Sequence, residues 1–332
     1  MNLSRIKVLV TGGAGFIGSH LVDALIEEGC SVRVIDNLSN GKLDNLRHNL
    51  KKPGFEFFSG TITDPFDAAR AVKDIEVIFH LACLGVRHSI SHPFENHRVN
   101  AEGTLLVLQE ALKAGAKKFI HCSTSEVYGT AGYVPMPESH PTNPCTVYGA
   151  SKLAAESYAR AYYKTYGLKT IIIRPFNTYG PRSHHERDAG EFIPKSIVRA
   201  LNNEPILIFG DGSQTRDFTY VEDIARGIIA AAKCDDLIGG TFNMGSDFEM
   251  PLKELAQMIL SYTGSGAAVE YVGERPGDIL RLHADSSLFK KRTGWRPPMS
   301  LNDGLKRTIQ WFMSRPEGIS ALLEQEKGIN WE

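Results

Sequence analysis

The sequence predicts an α/β fold: a doubly wound parallel sheet of the Rossmann type with a smaller C-terminal α/β lobe that would hold a substrate. Three observations carry that expectation. Short apolar runs alternate with helical patterns through the first half. The runs are rich in Val, Ile and Phe rather than alternating with polar residues, as strands covered on both faces should be. A glycine-rich turn separates the first run from the first helical stretch, where such sheets bind ligands.

In order, the strand candidates are KVLV, SVRVID, FEFF, EVIFHLA, KKFIHCS and KTIIIRP. Between them lie helical stretches such as GSHLVDALIEEG and NAEGTLLVLQEALKAG, each closing at a glycine. After Pro175 the pattern loosens, and NTYGPRSHHERDAGEF reads as a polar loop. Further helices are expected at IPKSIVRALNN, VEDIARGIIAAA, LKELAQMILSYTG and LNDGLKRTIQWF. Residues 1–176 therefore form the first domain, joined by a strand–helix unit that returns to it at about 217–243. Residues 177–216 and 244–332 form the smaller lobe.

At 332 residues the chain exceeds the usual size of one core, which suits a large domain with a lobe. Hydrophobic residues at 42% and charged residues at 23% are ordinary for a globular protein in water. A net charge of −1 gives no basic surplus, so a general nucleic-acid partner is not expected. Five scattered cysteines without a C-x-x-C favour reduced thiols over disulfides or zinc. MNLSRIKVLV shows no export signal, and no apolar run is long enough to span a bilayer. A cytoplasmic location without a membrane partner is expected.

In VLVTGGAGFIGSHL, Gly13, Gly15 and Gly18 satisfy G-x-G-x-x-G, with Gly12 beside them. Glycines there permit a tight turn and close approach of a pyrophosphate, and the helix N-terminus favours the anion. Asp36 ends the next strand. A carboxylate there accepts hydrogen bonds from a ribose 2′-hydroxyl and repels a 2′-phosphate, which favours NAD over NADP.

Tyr148 and Lys152 in VYGASK are four residues apart and share a helix face. A nearby ammonium favours phenolate, so Tyr148 could take a hydroxyl proton while hydride leaves the same carbon. Thr124, after a strand, is the natural hydroxyl to hold the substrate oxygen. Glu126 in HCSTSEVYG is either a base that removes a proton from carbon, a cap for the following turn, or a lysine's partner. His184, His185 and Glu186 suggest a metal, but adjacent histidines point apart and lack a fourth ligand, so no metal is expected.

Together these motifs resemble those of the extended short-chain dehydrogenase/reductases, specifically the NAD-dependent nucleotide-sugar epimerases and dehydratases, over nearly the whole chain. TGGAGFIG is similar to the cofactor loop, FHLAC to the strand lining the nicotinamide ribose, and Asn100 to a structural asparagine. The resemblance implies an NAD site built from Gly12, Gly15, Phe16, Ile17, Gly18, Asp36, Asn37, Ile62, Leu81, Ala82, Tyr148, Lys152 and Pro175. It implies a catalytic set of Thr124, Tyr148 and Lys152, joined by Ser125 and Glu126. RPFNTYGPR, FIP, GDGSQTRDFTYVED and ERPGD resemble segments that bind a nucleoside diphosphate. Asn177, Arg216 and Arg275 would contact the diphosphate, and Lys195 and Phe209 the base; ion pairs to Asp217 or Asp278 are the alternative for Arg216 and Arg275. Arg87 and His88 in LGVRHS either reach the sugar pocket or form a solvated loop. Thr61 stands where the family often has an aspartate holding the adenine amino group, so adenine would rest on Ile62 or Asp64. The implied reaction starts with oxidation of a sugar at C4. Glu126 as a C5 base points to an NDP-hexose 4,6-dehydratase, with a 4-epimerase as the alternative and UDP-glucuronate decarboxylase behind both. An NAD-binding sensor without catalysis is the reading from another class. The resemblance also implies a homodimer through paired helices.

Overall fold

The computed structural model describes residues 2–331. All six expected runs form strands: β1 Lys7–Thr11, β2 Ser31–Asp36, β3 Phe55–Ser59, β4 Val77–His80, β5 Lys118–Cys122 and β6 Thr170–Pro175. Six more follow: β7 Asn177–Tyr179, β8 Ile206–Phe209, β9 Thr215–Tyr220, β10 Thr241–Met244, β11 Glu249–Pro251 and β12 Val269–Val272. The main sheet has seven strands in the order β10-β6-β5-β4-β1-β2-β3, all parallel.

The two-residue period of each strand sorts its side chains into two cores. Val8, Val10, Ile171 and Ile173 meet Leu21, Leu25, Ile224 and Ile228 from helices Phe16–Glu27 and Val221–Lys233. Leu9 and Ile172 face the other way, onto Val107, Leu108, Ala159 and Tyr162 of helices Gly103–Lys113 and Val147–Tyr166. A third core, around Ile193, Ile197, Leu255, Ile259, Leu305 and Phe312, lies under the short sheets β11-β9-β7 and β12-β8.

One expectation is corrected. The strand in RDFTYVED does not return to the main sheet; β9 pairs with β7 and β11. The helix after it does pack against helix Phe16–Glu27, and the strand that joins the sheet is β10, beside β6. The reason is charge. β9 carries buried Arg216 and Asp217, whose partners Asp278, Ser246 and Asp247 all come from outside the main sheet. Buried charge is tolerated only where it is paired.

Behind the end of β5 lies a buried ion network. The Glu156 carboxylate, 0% exposed, accepts from Arg174 Nε at 2.8 Å and Nη2 at 2.6 Å and from the Ser123 hydroxyl at 2.6 Å. Burial pushes the Glu156 pKa up, but Arg174, Ser123 and Arg160 outweigh it, and the net shift is downward. A lowered carboxylate pKa contributes stability above the unfolded value and loses it as pH falls through the folded one. Glu156→Gln leaves Arg174 buried without a counter-charge. Urea unfolding at pH 7 is expected to show a loss of about 3–5 kcal/mol, shrinking as the wild type is acidified below pH ~4.

Candidate active site

The carboxyl ends of the parallel strands open into a cavity of about 430 Å3 that continues under the smaller lobe. Of the residues expected to meet cofactor or substrate, all but Lys152 and Asp64 line this cavity.

At one end, Gly12, Gly15, Phe16, Ile17 and Gly18 form the turn from β1 into the helix Phe16–Glu27. A Cβ on Gly18 would stand 2.2 Å from Gly12 O, so no larger residue fits without parting strand and helix. Asp36 ends β2; its carboxylate accepts Ala14 N at 2.9 Å and Leu38 N at 2.8 Å, which fixes it at the cavity wall with Asn37. The cradle, the helix N-terminus and the placed carboxylate fit a dinucleotide. Gly18→Ala is expected to weaken NAD binding at least ~tenfold by titration calorimetry and to cost about 1–3 kcal/mol of stability. Ile62 and Thr61 line the adjoining wall. Asp64 does not: its carboxylate caps the helix Pro65–Val72, accepting Phe66 N at 2.8 Å and Asp67 N at 3.0 Å. It is therefore engaged as a helix cap, and of the two supports expected for adenine only Ile62 stands at the cavity.

At the centre lie Leu81, Ala82, Thr124, Ser125, Glu126, Tyr148 and Pro175. The Thr124 hydroxyl accepts Glu126 N at 3.2 Å and so caps the short turn Ser125–Tyr128. Glu126 is thereby relieved of a capping role, and its side chain lines the cavity. Gly149 brings Tyr148 beside this turn, since a Cβ there would lie 2.7 Å from Glu126 O.

Tyr148 and Lys152 have separate partners. The Lys152 ammonium, 1% exposed, donates to Cys122 O at 2.7 Å from behind the cavity wall. Burial pushes the Tyr148 phenol well above its ordinary range; Cys83 and Glu126 add to this, against a hydrogen bond with Thr124. Helical spacing puts Tyr148 and Lys152 on one face; burial favours the phenol at Tyr148, against the pull that an ammonium and a bound nicotinamide's positive charge would exert.

Deeper under the lobe, Glu126 faces three guanidinium groups. Burial raises its pKa; Arg275 and Arg216 pull it down, Asp278 pushes it up, and Arg87 pulls it down. Arg216 pairs with Asp278 at 3.0 Å, and Arg275 bonds the same carboxylate oxygen. The ion-pair alternative thus holds with Asp278, not Asp217, yet both arginines still line the cavity beside Asn177. Burial, with Arg275 nearby, lowers Arg87 to about 10. Phe209 lines the far end. Lys195 also lines that wall, and its ammonium donates to Lys327 O at 2.6 Å and Gly328 O at 2.8 Å. Burial drops it to about 8. It is therefore not free to meet a base directly. His184 and His185 lie 3.5 and 3.1 Å from Glu186, which also pairs with Lys42 at 2.6 Å, so the trio is tied to the loop after β2, and His184 lines the cavity.

Residues 8–245 match the model of the NAD dependent epimerase/dehydratase family. The chain belongs to that family. It is 35% identical over 322 residues to a UDP-glucose 4-epimerase of Mycolicibacterium smegmatis, spanning 94% of this chain and 100% of the relative. It is also 35% identical over 317 residues to UDP-glucuronic acid decarboxylase 1 of Arabidopsis thaliana, spanning 94% of this chain and 71% of the relative. Among solved structures it is similar to a dTDP-glucose 4,6-dehydratase of Streptomyces venezuelae determined with NAD bound, with a TM-score of 0.89 at 34% identity over 93% of this chain and 98% of that one. As a member of the family this epimerase/dehydratase uses NAD, and the glycine cradle and Asp36 are the groups that would hold it. Among the described residues no helix is long and apolar enough to cross a membrane.

Sequence reasoning missed Glu191 and Asn330, which also line the cavity. Neither belongs to a motif. Glu191 only precedes FIP, and Asn330 lies far along the chain from β10, the last strand of the main sheet, which ends at Met244.

Proposed function

We propose that this epimerase/dehydratase is an NDP-hexose 4,6-dehydratase. The observation that carries the reading is the Glu126 carboxyl, which lines one cavity with Thr124 and Tyr148 and has a raised pKa. Thr124 holds the C4 hydroxyl and Tyr148, once ionised, removes its proton. When bound, NAD supplies the hydride acceptor and, later, the donor. The resulting C4 ketone acidifies the C5 hydrogen. Glu126 takes that proton and returns it to the departing C6 oxygen, which leaves as water; the 4-keto-5,6-alkene that remains gains hydride at C6 and a solvent-derived proton at C5. A carboxyl raised by burial suits both tasks, being a stronger base than an exposed one and still able to give the proton back. Arg216, Arg275 and Asn177 hold the diphosphate. The names of both curated relatives favour a UDP-linked sugar.

A second reading is a 4-epimerase, favoured by the M. smegmatis relative. Its ketone would turn over and take hydride back at C4, and Glu126 would have no proton to move. Incubation with UDP-hexoses in heavy water separates the two. Deuterium in a 4-keto-6-deoxy product supports the dehydratase; an unlabelled C4 epimer overturns it.

The chain is also proposed to form a homodimer through helices Gly103–Lys113 and Val147–Tyr166, which carry exposed Leu105, Val147 and Tyr166. Light scattering at twice the chain mass would support this, and a monomer would exclude it.

A further inference from the structure

The segment after helix Ile319–Gln325 folds back onto the cavity end that holds Phe209. Cations of helix Phe192–Leu201 pin it there. Glu326, with a side chain 3% exposed, pairs with Arg199 at 2.9 Å and Lys195 at 3.1 Å, and Lys195 also grips the carbonyls of Lys327 and Gly328. The Trp331 ring meets Phe209 edge to face, with centroids 4.5 Å apart.

Between these anchors stands Asn330, 1% exposed and part of the cavity wall. Its amide nitrogen donates to Arg187 O at 3.0 Å and Gly190 O at 2.9 Å. Two carbonyls demand two N–H groups, so the amide can face only one way. That leaves Oδ1 buried without a donor. A buried acceptor left unmade is costly, and an arriving donor is correspondingly rewarded. The Asn330 oxygen is therefore a ligand group in waiting.

We infer that Asn330, held by the 326–331 segment, reads the nucleobase by accepting its ring imide N–H, so that the site takes uracil or thymine diphosphates over cytosine. This rests on the nucleotide-sugar reading above. Cytosine offers a lone pair where uracil carries N3–H, and two acceptors facing each other repel. The assignment also explains why Lys195 does not face the base: its ammonium orders the segment that does.

The test is titration calorimetry of the NAD-loaded full chain with UDP, dTDP, CDP and N3-methyl-UDP. UDP and dTDP are expected to bind at least ~tenfold more tightly than CDP and N3-methyl-UDP, the scale of one buried hydrogen bond. In Asn330→Ala the UDP to N3-methyl-UDP ratio should fall to within about threefold, a change that a purely structural role would not produce. The N3-methyl probe also tests the contact in the unaltered protein, should the variant fold poorly. Equal wild-type binding of UDP and CDP overturns the inference, as does a ratio that survives in Asn330→Ala; either leaves the nucleotide-sugar reading standing. If none of the four binds, both fall.

Discussion

Tyr148→Phe is expected to slow sugar oxidation by about 10²- to 10⁴-fold, the range for losing a positioned acid–base group, while UDP affinity changes less than ~threefold. The substitution deletes one oxygen and leaves the ring in place. The proposed diphosphate contacts, Arg216, Arg275 and Asn177, lie on other elements of the cavity, so binding should survive. The readout is the appearance of NADH absorbance in a single turnover. The pH dependence has a definite sign. Burial raises the Tyr148 pKa, so the group is protonated at neutral pH and oxidation should speed up as pH rises towards its titration. Lys152 now faces Cys122 O, away from the cavity. If its ammonium turns to the phenol in turnover, Lys152→Met should move the rising limb to still higher pH. A Tyr148→Phe variant as fast as the wild type would remove this residue from the chemistry and favour a sensor on the same fold.

How far the site could be read in advance follows from the range of the interactions involved. The glycine cradle and Asp36 are local: strand, turn and helix lie within one βαβ unit, and their spacing announces the ligand. The six main strands were legible because parallel strands covered on both faces leave unbroken apolar runs. What stayed hidden was decided by partners far along the chain. Lys195 and its acceptors Lys327 and Gly328 are separated by 132 and 133 residues. Arg216 and Asp278 are 62 apart. The assignment of β9 to the small sheet depends on those same buried charges. Helical spacing correctly put Tyr148 and Lys152 on one face, but it carried no information on Cys122 O, which captures the ammonium.

Glu126→Gln separates the two halves of the proposed reaction. C4 oxidation needs Thr124 and Tyr148, which the substitution leaves intact, so single-turnover NADH formation should stay within about threefold of wild type. Proton removal at C5 loses its base, and 4-keto-6-deoxy product should fall by ~10²- to 10⁴-fold. Intermediate ketone and NADH should accumulate together. Loss of diphosphate binding cannot account for that pattern: Glu126 faces Arg275, Arg216 and Arg87, so removing its charge leaves these cations more available to the phosphates. The pH profile provides a second, independent sign. The base works ionised, and its pKa lies above the ordinary carboxylate value. Elimination by the wild type should therefore decline as pH falls through that raised value, before an exposed glutamate would titrate, and the residual Glu126→Gln reaction should show no such limb. If Glu126→Gln takes up deuterium at C5 as fast as the wild type, the base lies elsewhere. If both proteins simply invert C4 at equal rates, the carboxyl has no part in the chemistry and the epimerase reading stands.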